Sequence, residues 1–191
     1  MTAPRRDVRR SDLYDAETEA FAGTILADVV GVAALERYAG AITTSPWWRA
    51  HVAAPGLRLV AARADALTSC YVPARAEIRI APADATLVTL LHELAHVADR
   101  AGSGHGPPFR RWLLDVVGAA CGPSWSARLT DVLRGCGLPA GPPTAATVAV
   151  RTWAPVLDLV AMAPPVDVGR LPLPTPPTTR PGPLALGPAP G

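Results

Sequence analysis

The chain has 191 residues, a formal net charge of +2 and 49% apolar residues, many of them alanine. The length suits one domain with a tail, and the near balance of charge excludes a global basic field of the kind that gathers nucleic acid. Three widely spaced cysteines, Cys70, Cys121 and Cys136, exclude a disulfide framework and a zinc ribbon, and point to reduced thiols in a cytoplasmic protein.

The basic opening "MTAPRRDVRR" is followed by no apolar run, so it does not read as a secretory signal. No segment approaches the roughly 20 apolar residues of a membrane helix, so no membrane role is expected. Residues 11–23, "SDLYDAETEAFAG", predict a first helix capped by Ser11, with acidic residues favouring its N-terminal end. In residues 31–48, Val32, Leu35, Tyr38 and Ile42 recur at helical spacing, and Pro46 stops this second helix. Residues 57–63 alternate and read as a strand. Residues 69–82, "SCYVPARAEIRIAP", read as one bent strand or a hairpin, with Tyr71, Val72 and Glu77–Ile80 at its cores. Pro73 marks an edge or a bulge there, because proline cannot donate to a ladder. A strong helix is expected over 85–100, then two more over 108–120 and 124–134, the last ending at Gly135. Helices, a short and mainly antiparallel sheet, then helices make an α+β pattern.

Composition changes beyond Leu138. Of the 22 prolines, 14 fall in residues 139–191. Proline fixes φ and removes a backbone donor, which rules out helix and central strand through most of this stretch. The expectation is a folded domain over 9–138 and a mostly disordered tail over 139–191. The tail is either a solvated linker or a proline-rich ligand for a partner. One part of it, residues 147–162, is apolar enough to dock.

The chemistry concentrates in "LLHELAHVADRAGSGHGPPFRR", residues 90–111, which holds three of the four histidines. Residues four apart on a helix differ by about 40° in azimuth, so His92 and His96 face one way and suit one metal ion. Glu93 sits about 100° from His92, beside the ligands, where it can take a proton from a water that the ion polarises. Two histidines and a glutamate in the apolar run "TLLHELAHVA" would be costly to bury without a compensating partner, and Zn2+ supplies one. A catalytic zinc takes a third protein ligand and keeps one position open. Asp99 lies seven residues after His92, about 10.5 Å along the helix, too far for a short side chain. It reads as an acceptor behind the ligands or as a surface charge. His105 is the third ligand: Gly102, Gly104 and Gly106 let the chain reverse, and Pro107 and Pro108 open the next helix.

The stretch "LLHELAHVADRAGSGHGPPFRRWLLDVV" resembles SprT-like zinc proteases, which place a ligand histidine in an H-G-x-x-F/W context after H-E-x-x-H. It is more similar to a family of small actinobacterial and phage proteins described as predicted zinc metallohydrolases. These open with Arg-Asp…Arg…Val-Tyr-Asp-Ala-Glu, similar to residues 5–17 here. They also show an Arg-Tyr…Ala…Pro-Trp pattern, here Arg37, Tyr38, Pro46 and Trp47. The resemblance covers residues 5–117, with a shorter segment at 23–31 than the family's usual insert. It implies a zincin-like domain with its sheet on the H-E-x-x-H helix, zinc on His92, His96 and His105, and Glu93 as general base.

The expected reaction is hydrolysis of a peptide bond in a peptide or protein substrate. The strand at Glu77–Ile80 is read as an edge able to pair with an extended substrate. Tyr71, Arg110 and His51 are oxyanion candidates by residue type, and none is assigned. Two rivals stand beside this reading. A DNA-associated protease of the SprT kind rests on Arg110, Arg111 and the basic N-terminus, which is weak support for nucleic acid. A non-catalytic, zinc-stabilised interaction module would close the fourth metal position, for which Cys70 is the available thiol. Neither the natural substrate nor the oligomeric state is legible.

Overall fold

The computed structural model describes residues 9–52, 54 and 56–150. The basic arm before Arg9 and the proline-rich stretch after Val150 lie outside the described residues, and with them the expectation of a disordered tail. Among the described residues seven α-helices and three strands follow one another as α1 (Arg10–Phe21), α2 (Val32–Thr44), α3 (Pro46–His51), β1 (Arg58–Ala61), β2 (Cys70–Val72), β3 (Glu77–Ile80), α4 (Leu87–Ala98), α5 (Pro107–Cys121), α6 (Pro123–Gly135) and α7 (Ala145–Ala149). The architecture is α+β, as the sequence pattern predicts. Among the described residues no helix is long and apolar enough to cross a membrane.

Local chemistry explains the helix ends. Ser11 does not cap α1. The helix starts at Arg10 with no side-chain cap, and Arg9 instead bonds Asp12 and the carbonyls of Cys136 and Gly137. Pro46 ends α2 and also opens α3, where the Ser45 hydroxyl accepts from the Trp48 N–H. Thr86 caps α4 in the same way, accepting from the Thr89 N–H.

The sheet order is β1–β3–β2, with β3 parallel to β1 and antiparallel to β2. This differs from a mainly antiparallel sheet. The chain lays β1 on one edge and β2, running oppositely, on the other. Strand β3 then fills the slot between them, and its antiparallel pairing to β2 forces it parallel to β1. Pro73 starts the 3-10 turn Pro73–Arg75, and Ala76 takes φ +46° to complete the reversal. Strand β3 is therefore central and largely buried, while β1 and β2 are the edges. The expectation that Glu77–Ile80 forms the free edge is corrected by this order.

Helix α4 is the central element. It packs on α5, on β2 and β3 and on α2, burying Leu87, Leu90, Leu91 and Leu94. The packed body does not stop at Leu138. The Gly141 N–H donates to the Pro107 carbonyl at 2.7 Å, and Trp47 Nε1 to the Ala146 carbonyl at 3.0 Å. Val150 closes over Gly118, where an added Cβ would lie 2.4 Å from its Cγ1.

Candidate metal centre

His92 and His96 project from one face of α4, with ring centroids 5.0 Å apart. After α4 ends, the chain must reverse within a few residues. Gly102 and Gly104 take φ +62° and +63°, a region side chains rarely enter. Asp99 fixes this turn: its carboxylate accepts from the Ser103 N–H at 2.8 Å and from the Ser103 hydroxyl at 2.5 Å. Asp99 is buried, so it is no surface charge. From α5, Arg110 donates to the His105 carbonyl at 2.7 Å and to the Pro139 carbonyl at 2.9 Å. The turn and the guanidinium together hold His105 over the α4 face.

The three imidazoles converge. His105 Nε2 lies 3.1 Å from His92 Nε2 and 3.2 Å from His96 Nε2. One ligand atom from each histidine falls within 4.8 Å of the other two. Nitrogens bound tetrahedrally to zinc at 2.0–2.1 Å would be about 3.3 Å apart. His92 Nδ1 is 3.0 Å from both carboxylate oxygens of Glu17. A carboxylate only accepts, so Nδ1 carries a proton, and in the neutral ring Nε2 presents its lone pair to the cluster. A single N–H on His105 Nε2 satisfies one neighbour at most, whereas a cation satisfies all three nitrogens. Phe109, fully buried, packs against the three rings at centroid distances of 5.1, 4.3 and 4.9 Å. This donor set fits a metal ion, and His92, His96 and His105 are the residues that could hold one.

Glu93 lies beside the cluster, 4% exposed. Its carboxylate takes a hydrogen bond from the Tyr71 backbone, while its Oε2 is buried with no hydrogen-bond partner among the described residues. Burial pushes its carboxyl above the usual range, against the opposing pull of His92 and the Tyr71 backbone. For His92, burial works to lower the pKa, but the charge and hydrogen bond of Glu17 outweigh it and the net shift is upward.

Two residues escaped the sequence reading. Glu17 comes from α1, where it shares the buried face with Leu13, Ala16, Ala20 and Phe21. An acid at a core position of an amphipathic helix is the signal that marks it. Tyr14, four residues after Arg10 on the same helix, sets its ring 5.1 Å from His92 and 5.8 Å from His105. Arg10 Nε donates to its hydroxyl at 3.1 Å. Burial raises the Tyr14 pKa, with Arg10 opposing, so the phenol keeps its proton.

The remaining candidates fall elsewhere or are occupied. His51 packs on Trp47 in α3. Arg110 is buried on two carbonyls, and Arg111 pairs with Asp115 at 2.8 Å, so both arginines after the motif turn inward. Cys70 is exposed on β2 and is not part of the histidine cluster. Tyr71 joins Arg10, Cys70, His96, His105 and Arg100 around a cavity of about 510 Å³. A second cavity of about 450 Å³ opens on His92 and Glu93 from the α1 side. No protein-family model matches this chain, and neither a curated protein nor a solved structure does.

Proposed function

We propose that the chain is a zinc-dependent hydrolase of the zincin-like kind that cleaves peptide bonds, in line with its resemblance to SprT-like proteases and small predicted metallohydrolases. The observation that carries the reading is the buried, partnerless Oε2 of Glu93 beside three histidines whose ring nitrogens converge. A structural metal site has no use for such an oxygen. A zinc ion held by His92, His96 and His105 would polarise a water and the scissile carbonyl and lower the pKa of that water. Glu93 takes the proton as the water attacks and returns it to the leaving nitrogen. Glu17 holds His92 in the tautomer that offers Nε2. Tyr14, accepting from Arg10, directs its own phenol hydrogen toward the oxyanion. Strand β2, the edge next to α4, is the element an extended substrate would pair with.

Purified chain should carry one zinc, lost in His105→Ala. Glu93→Gln should keep the metal and lose casein hydrolysis. Tyr14→Phe should also keep it and lower kcat about 10–1000-fold. Full turnover by Glu93→Gln would sink the general-base role, and full zinc affinity in His105→Ala would sink the ligand set.

A further inference from the structure

We infer that the substrate inserts a large apolar side chain into the cavity between α1, residues 67–69 and the N-terminal half of α4. The inference rests on the hydrolase reading and adds a substrate class to it. The cavity measures about 450 Å³ and opens directly on His92 and Glu93. Phe21, Ala22, Ala27, Leu67 and Val88 supply apolar parts of its wall. Four of the polar side chains on that wall are already bonded. Thr86 and Thr89 bond each other at 3.1 Å, the Ser69 hydroxyl accepts from the Ala81 N–H, and Glu17 is bound to His92. Among the described residues the wall has no lysine or arginine, and its charged members, Glu17, Asp84 and Glu93, are all acids. An acidic side chain would therefore meet repulsion and find no partner, while an apolar one meets carbon.

A second observation supports the same occupant. Leu67 is 89% exposed at the mouth of this cavity, so a bound apolar group would cover surface that otherwise faces water. The cavity on the other side of Tyr14 has a different character, with Arg10 and Arg100 on its wall. Tyr14, Ser69 and Glu93 line both spaces, so they divide the cleft at the point where the chemistry occurs. An apolar side chain is drawn to one side of that divide only, which also sets the direction in which the substrate lies.

The test uses full-length, zinc-loaded chain and amino-acid hydroxamates bearing Gly, Leu, Phe, Asp or Lys side chains, measured by calorimetry. The hydroxamate anchors each probe to the metal, so the side chain alone varies. Leu and Phe probes should bind about 10–100-fold tighter than Gly, and Asp weakest. Ala27→Trp, and separately Ala22→Phe, should bring the Leu-to-Gly and Phe-to-Gly ratios close to one. Equal affinity for all five probes, or a preference for Asp or Lys, would overturn the inference and leave the zinc hydrolase reading standing. A zinc-loaded chain that binds no hydroxamate would overturn both.

Discussion

Glu17 fixes how His92 faces the histidine cluster. Its two oxygens, each 3.0 Å from Nδ1, hold the ring's orientation and tautomer while the side chain itself is 3% exposed. Partners of this kind typically tune metal affinity about 10–100-fold. Glu17→Gln should therefore weaken zinc by that factor, measured by competition with a chromogenic chelator, with the helical circular dichroism signal preserved. Unchanged affinity would reduce Glu17 to a packing role. The clustering of His92, His96 and His105 beside Glu93 was legible because helical spacing and a glycine turn confine them to residues 92–105. Glu17 was not, because it stands 75 residues from His92 and becomes a neighbour only when α1 docks. Asp99 shows the limit of distance reasoning: helix rise excluded it as a ligand, but nothing in the sequence foretold its bonds to Ser103.

Helix α5 carries a buried acid of a different kind. Asp115 is 1% exposed, and burial raises its pKa despite Arg111 at 2.8 Å. The Thr147 hydroxyl at 3.0 Å and the Thr144 hydroxyl at 3.5 Å reach it from the segment that carries α7. Removing one donor from a buried carboxylate costs about 1–3 kcal/mol. Thr147→Val should lower the urea midpoint accordingly; an unmoved midpoint would mean that α7 contributes nothing to the fold. The positions of α1, α2, α4, α5 and α6 followed from periodicity and proline placement to within a few residues, whereas α3 and α7 were not anticipated. Strand order did not. Alternation reports which face of a strand is buried, and it is silent on which neighbour the strand joins. That is why β3 was read as an edge when it lies between β1 and β2. Composition likewise misplaced the end of packing, because proline frequency marks the loss of regular structure and does not exclude docking.

For the molecule as a whole, the centre joins α4 to the chain entering α5 and, through Glu17, to α1. Zinc should therefore raise Tm, and chelation should lower it again. The pH dependence follows from His92. In the metal-free fold its pKa is raised, so protonated His92 beside Glu17 stabilises that state below the unfolded value of about 6.5. This contribution disappears as pH rises through the folded value. Zinc requires the neutral ring. The zinc-induced rise in Tm should thus be largest at pH 8 and shrink as pH falls below the raised pKa, beginning above 6.5. A rise that is flat from pH 8 to 5.5 would contradict the assignment of His92 as a ligand. The guanidinium of Arg110 adds a mechanical consequence. It grips the carbonyl of His105 on one side and that of Pro139 on the other. Whatever pulls on the chain just past Leu138 pulls on the clamp that seats His105, so the segment where composition turns proline-rich is a lever on the histidine cluster.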